Sequence, residues 1–293
     1  MNDWIKPAGS TGDDDYDVRI TPGETAGWAH TGLLVTDLDA GESRTVATGD
    51  CEWIVLPLSG ADLTVRSGDD EVTLGGRASV FDGATDIAYV GRDSEFTITA
   101  TSPVRVALPS AKAATAKPFA VVRAADVPVE MRGAGSCSRQ VQNFGTPDTL
   151  DADSIIACEV ITPAGNWSSY PPHKHDVDRP GEETSLEEIY YFEVRTQPGG
   201  AGTDPVAWQA AYGTEDRPLE INTAVRPGDT VLIPHGWHGP SMAAPGYDLY
   251  YLNVMAGPGD ERIWLICDDP AHTWVRSTWE DQPVDARLPF PAK

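Results

Sequence analysis

Apolar residues along this chain recur in short runs of four to eight rather than at helical spacing. Val, Ile, Thr and Tyr dominate those runs, and Gly, Pro, Asp and Asn bound them. Patterns of ten or more residues at a 3.6 period are scarce, so an all-β fold is expected. Candidate strands in the first half are Thr31–Leu38, Glu52–Ser59, Asp62–Ser67, Ala78–Phe81, Ile87–Val90, Phe96–Thr101 and Val104–Leu108. In the second half they are Phe119–Arg123, Arg139–Phe144, Ser154–Thr162, Glu188–Val194, Val206–Tyr212, Thr230–Pro234, Leu249–Met255 and Ile263–Cys267. Between the series, Pro109 to Pro118 is rich in Ala, Lys and Thr and reads as a linker, with room for one or two helical turns.

At 293 residues the chain exceeds the usual span of one domain, and the linker divides it into 1–117 and 118–293. The halves share a rhythm. An acidic residue opens an apolar strand in each (Glu52-Trp-Ile-Val-Leu and Glu188-Ile-Tyr-Tyr-Phe), and a glycine precedes a later one (Gly76-Arg-Ala-Ser-Val-Phe and Gly228-Asp-Thr-Val-Leu-Ile). That is consistent with duplication or with the ordinary punctuation of β-sandwiches.

Chemistry concentrates in the second half, where four of the six histidines lie between residues 173 and 238. Within Pro171-Pro-His-Lys-His-Asp176, strand alternation sends His173 and His175 to one face and Lys174 to the other. A carboxylate from Glu187 or Glu188, and an imidazole from Pro234-His-Gly-Trp-His238, would complete a mixed nitrogen and oxygen site for a divalent metal. His30 and His272 have no such company and read as ordinary hydrogen-bonded or surface histidines.

Charge narrows the partners. Forty-five acidic against 21 basic residues give a net charge of −24, which repels nucleic acid and anionic membranes. A small anionic substrate would need local cations, of which Arg139 at a strand start is the foremost candidate. No secretory signal or long apolar segment is evident, so a cytoplasmic protein is expected. Cys51, Cys137, Cys158 and Cys267 are widely spaced, as reduced thiols would be.

These residues resemble the cupin superfamily, whose β-barrels carry His-x-His with a following Glu and then Gly-x5-Pro-x-Gly-x2-His. Gly228, Pro234 and Gly236 match the second motif, while His238 comes one residue early and leaves His235 as a competitor. The stretch Val177–Ser185 inserts a polar loop into the first motif. With that insertion, residues 168–176, 186–191, 233–238 and 250–257 are together similar to the 5-deoxy-glucuronate isomerases of myo-inositol catabolism. More distantly they resemble the 5-dehydro-4-deoxy-D-glucuronate isomerases of pectin breakdown.

The resemblance implies a bicupin of two double-stranded β-helix (jelly-roll) barrels, the first degenerate and the second metal-binding. It also implies an aldose–ketose isomerase taking 5-deoxy-D-glucuronate to 5-dehydro-2-deoxy-D-gluconate. By its correspondence the ligands are His173, His175, Glu188 and His238, around one divalent ion that could be Zn, Mn, Fe, Co or Ni. Glu187, Tyr190 and His235 are the candidate acid–base groups, and Arg139 and Trp237 the candidate substrate contacts. An Fe(II) bicupin dioxygenase and a noncatalytic sugar-acid binding cupin are the rival readings, and a homo-oligomer is compatible with all of them.

Overall fold

A computed structural model describes residues 3–290, almost all of them in antiparallel sheet, turn or loop. Each half of the chain forms a barrel from two sheets. In the first, strands Thr31–Leu38, Cys51–Gly60, Ile87–Val90 and Val104–Lys112 form the larger sheet. Ser43–Ala47, Leu63–Ser67, Asp70–Leu74 and Glu95–Ala100 form the smaller one. In the second, Arg139–Gly145, Ile156–Thr162, Glu187–Thr196, Thr230–Ile233 and Tyr247–Ala256 lie in a seven-stranded sheet. It faces a sheet containing His173–Lys174, Ala207–Tyr212, Glu220–Val225 and Trp237–Ala243. The fold is therefore the expected bicupin.

Alternation along the strands explains how the barrels pack. Val55 points into the first barrel, among Leu34, Val65, Phe96 and Ile98, whereas its neighbours Ile54 and Leu56 point out. Likewise Tyr190 and Phe192 point into the second barrel, and Ile189 and Tyr191 point out. The outward faces of the two large sheets meet in one apolar layer that joins Leu33, Ile54 and Leu56 to Ile189, Leu232, Tyr250 and Leu252. Within it, Arg77 of the first barrel forms a buried ion pair with Glu159 of the second, which also accepts a 2.6 Å hydrogen bond from Tyr250.

Sheet pairing crosses the division expected at residue 117 in both directions. Ile5–Lys6 pairs with Thr230–Val231 of the second barrel, and Ala120–Val122 pairs with Ile87–Tyr89 of the first. Each barrel thus borrows an edge strand from the segment leading into the other, which covers an edge that would otherwise be open. The linker is also shorter than expected. Pro109–Lys112 continues the strand, with Ser110 opposite Trp53 and Ala111 opposite Thr31.

Two other expectations need correction. Val80–Asp82 is a turn of 3-10 helix capped by Ser79, so Ala78–Phe81 is not a strand; its apolar residues are buried but not alternating. Of Ile263–Cys267, only Cys267 joins a strand, Cys267–Asp268. No helix among the described residues is long and apolar enough to cross a membrane.

Candidate metal centre

Three imidazoles converge inside the second barrel because of strand register. His173 sits directly opposite His238 across an antiparallel pair, with ring centroids 4.5 Å apart. His175 follows two residues later on the same face, 4.6 Å from the His238 ring. One ligand atom from each histidine lies within 4.8 Å of the others, and all three residues are buried. Among the described residues this is the only cluster of three or more such groups.

The polar insertion returns the chain to the same point. Leu186 N donates to His175 O at 2.8 Å, and the Leu186 carbonyl accepts from His175 Nδ1 at 3.1 Å. Residues 176–185 are therefore a closed loop, held by Lys174 Nζ, which bonds Asp176 and Glu183 at 2.6 Å each. Two residues beyond Leu186, Glu188 points inward.

Glu188 Oε2 lies 3.0 Å from His175 Nε2 and 3.1 Å from His238 Nε2. Each ring is oriented from behind, since His238 Nδ1 lies 3.1 Å from the Gly236 carbonyl just as His175 Nδ1 faces Leu186 O. A carbonyl can only accept, so each Nδ1 carries a proton, and in a neutral ring the Nε2 turned toward the carboxylate is a bare lone pair. Lone pairs facing a carboxylate oxygen repel unless a cation lies among them. His238 Nε2 is indeed buried with no hydrogen-bond partner. The donor set thus fits a metal ion held by His173, His175, Glu188 and His238.

Electrostatics agree at His173 and Glu188, whereas at His175 burial is outweighed by the Glu188 carboxylate, which raises its pKa until a cation stands between them. Burial, then the neighbouring His238 and His175, push His173 well below its ordinary pKa and keep it in the ligand form. Burial works to raise the Glu188 carboxyl, but the His175 and His238 rings beside it outweigh that and hold it at about 2, in the ligand form.

Gly236 has φ of 87°, and a Cβ there would lie 2.7 Å from Tyr212 O. Glycine therefore permits the turn that brings His238 into line. Gly239 is tighter still: a Cβ would lie 1.7 Å from Ser169 O.

Beside the histidines is a cavity of about 30 Å³ lined by Arg139, Val141, Val160, Ser169, His173, Glu188, Tyr190, Asn253 and neighbours. That is space for a water or an ion, so admitting a six-carbon acid requires side chains to move. Tyr190 is 2 % exposed and its hydroxyl is 3.2 Å from Ser169 Oγ. Burial, then Glu188, raise its pKa well above the ordinary value, so the phenol keeps its proton.

Arg139 is 6 % exposed. Its described hydrogen bond goes to a carbonyl, Cys137 O at 3.1 Å, and among the described residues it has no carboxylate partner. Burial, aided by Arg132 and Arg276, pushes its pKa down to about 10, which still leaves it charged at neutral pH. Its neighbour across the strand pair, Arg132, is instead neutralised by Glu130 at 2.8 Å.

Three sequence candidates lie elsewhere. Glu187 faces the inter-barrel side, where its carboxylate accepts from Ala29 N at 3.0 Å, His30 N and Thr31 N at 2.6 Å, and Thr31 Oγ1 at 3.0 Å. Its oxygens are occupied in joining the barrels. His235 stands in the turn before the strand and belongs neither to the histidine cluster nor to the cavity wall. Trp237 has the parity opposite to His238 and lies under Lys174, whose Nζ is 5.4 Å from its ring centroid.

Conversely, Ser169, Asn253, Tyr251 and the Val141–Val160 pair line the cavity without having been singled out. Asn253 was legible as a polar residue at inward parity in the apolar strand Tyr247–Ala256. Ser169 carried no such signal, because its φ of 52° breaks the alternation.

Comparison with known proteins supplies the context. A model described as the KduI/IolB family matches residues 4–275. The 5-deoxy-glucuronate isomerase of Geobacillus kaustophilus is 38% identical over 277 residues, covering 94% of this chain and 96% of the relative. An IolB-like protein from Salmonella typhimurium LT2 superposes with a TM-score of 0.83 at 33% identity, covering 93% and 99% of the two chains. Lactobacillus farciminis oxalate decarboxylase shares the fold alone, with a TM-score of 0.62 at 11% identity over 90% of this chain and 88% of its own.

Proposed function

The chain belongs to the KduI/IolB family, and from that premise and the histidine site we infer an isomerase that converts 5-deoxy-D-glucuronate to 5-dehydro-2-deoxy-D-gluconate in myo-inositol catabolism. The observation that carries the reading is a cage of three buried imidazoles and one carboxylate beside a buried arginine that lacks an anion.

His173, His175, Glu188 and His238 would hold one divalent transition-metal ion per chain. When bound, it supplies Lewis acidity toward the C1 and C2 oxygens of the sugar. Arg139 pairs with the substrate carboxylate, because bringing an anion to an unneutralised buried guanidinium relieves its desolvation. That contact fixes the far end of the substrate and presents its carbonyl end to the histidines.

A single carboxylate, Glu188, lines the cavity among the described residues, and Oε2 is shared by two imidazoles. With no spare base at C2, the hydrogen moves directly from C2 to C1 as hydride. The Tyr190 and Ser169 hydroxyls, 3.2 Å apart, pass a proton from O2 to O1. Charge and hydrogens then balance without an external reductant. The four unpaired thiols suit a cytoplasmic setting for this chemistry.

The test is an anaerobic NMR assay of metal-loaded protein with 5-deoxy-D-glucuronate in D2O. Conversion without oxygen supports isomerisation, and product lacking deuterium at the hydroxymethyl carbon that was C1 of the substrate supports the hydride path. Failure of a folded, metal-loaded sample to convert the sugar rejects the activity; deuterium at that hydroxymethyl carbon rejects the hydride path and points to Glu188 as base.

A further inference from the structure

The inner face of the seven-stranded sheet is graded in polarity, and the gradient has an order. Register places Glu188 opposite Met255 and Ile233, nearest the histidines. One row along, two residues on each strand, come Tyr190, Asn253 and Cys158. The next row is Phe192, Tyr251, Val160 and Val141. Arg139 lies two residues beyond Val141 on the same face.

Asn253 and the valines all line the cavity. Asn253 is 4 % exposed and its Nδ2 is buried without a partner, so the second row offers an unused donor. Val141 and Val160 are 1 % and 4 % exposed and stand directly opposite each other, with no polar atom to offer. Walking from the histidines toward Arg139, a ligand meets polar groups, then a branched apolar pair, then a cation.

We propose that Val141 and Val160 select a substrate whose carbon next to the carboxylate is a methylene, and so discriminate 5-deoxy-D-glucuronate from D-glucuronate, its 5-hydroxy analogue. This rests on the reading in which Arg139 takes the carboxylate. With C6 at Arg139 and the C1–C2 oxygens at the histidines, the C3 and C4 hydroxyls fall beside Asn253 and Tyr190. C5 falls between the valines. A hydroxyl on C5 would lose its water between the valines, where the polar atom of the same row, the Tyr251 hydroxyl, is already engaged by Ser168, a penalty that limits an apolar site to discrimination of about a hundredfold.

The experiment compares kcat/KM for 5-deoxy-D-glucuronate and D-glucuronate in the wild type, Val141→Thr, Val160→Thr and Arg139→Lys, with metal content and melting temperature measured on each. Val141→Ala and Val160→Ala, which leave room for a water beside C5, stand in for a threonine variant that fails to fold. The expected result is a preference for the deoxy sugar that narrows about tenfold in at least one valine variant retaining metal and melting temperature. Arg139→Lys should raise KM for both sugars alike and leave the preference intact. An unchanged preference in folded variants at both valines, with Arg139→Lys still raising both KM values, overturns the proposal alone. If Arg139→Lys leaves both KM values unchanged, the carboxylate reading beneath it fails as well.

Discussion

The two barrels share a plan and differ in what fills them. Glu52 in the first accepts from the amides of Asp153, Ser154 and Ile155 at 2.8, 2.6 and 2.6 Å; these precede a strand of the second barrel. Glu187 in the second accepts from residues 29–31, which lead into Thr31–Leu38 of the first. The exchange is reciprocal, as is the exchange of edge strands.

This equates Glu52 with Glu187, not with Glu188, and sets Trp53 opposite in role to Glu188. Where the second barrel turns a carboxylate inward, the first packs an indole against Phe96, 6.1 Å away. The remaining interior of the first barrel is Leu, Val, Ile, Ala and Phe. An interior closed by apolar side chains holds a fold together, while one opened by three histidines, a carboxylate and a guanidinium without an ion-pair partner suits the ion and substrate proposed above. The shared scaffold is what the duplication-like rhythm of the sequence reflects.

That contrast can be broken from either side. The largest effect should come from Glu188→Gln or His175→Ala, each expected to lower kcat by about a thousandfold or more, since the carboxylate or an imidazole then leaves the donor set. Steady-state kinetics on folded protein checks this, and near-normal turnover would remove Glu188 from the centre. Next, Arg139→Ala should raise KM by about a hundredfold, because a charged partner of the substrate is lost from a buried position; a change confined to kcat would assign it another task.

Glu52→Gln and Glu187→Gln should behave as a pair. Each weakens several hydrogen bonds to a buried carboxylate and should cost about 2 kcal/mol, seen as a Tm roughly 5 °C lower, with bound metal retained. Loss of turnover in Glu187→Gln at unchanged Tm would return that residue to the chemistry. The smallest effect concerns the tail that only the second barrel carries. A hydrogen bond from Arg287, then the Arg287 and Asn166 contacts beyond it, hold Asp285 well below the carboxylate range. A depressed folded pKa stabilises above the unfolded value near about 4 and loses that contribution as pH falls. Asp285→Asn should therefore lower Tm by about 1 °C at pH 7, with the difference shrinking below about pH 4.

Strand boundaries were largely legible because period-two alternation and turn residues are local signals. Thr31–Leu38 and Ile87–Val90 coincide with their strands. Edge strands were not, since Ile5–Lys6 is two residues long and acquires its meaning from a partner more than 200 residues away. The histidine set was readable from parity within one strand and from the resemblance. Parity alone left Glu187 and Glu188 open and the resemblance picked Glu188; the return of the loop at Leu186 is the tertiary reason that Glu188 turns inward. Trp237 and His235 were drawn in by proximity in sequence, which parity and the turn at Gly236 undo.

On the reading proposed above, one barrel alone carries a metal centre, organised by Glu188. Metal analysis of protein purified without added chelator tests it most directly, comparing the wild type with Glu188→Gln and Glu187→Gln at equal concentration of folded chain. About one transition-metal ion per chain is expected in the wild type and in Glu187→Gln, and little in Glu188→Gln. Full occupancy in Glu188→Gln with loss in Glu187→Gln, or a wild type that binds none under metal-replete conditions, would contradict it.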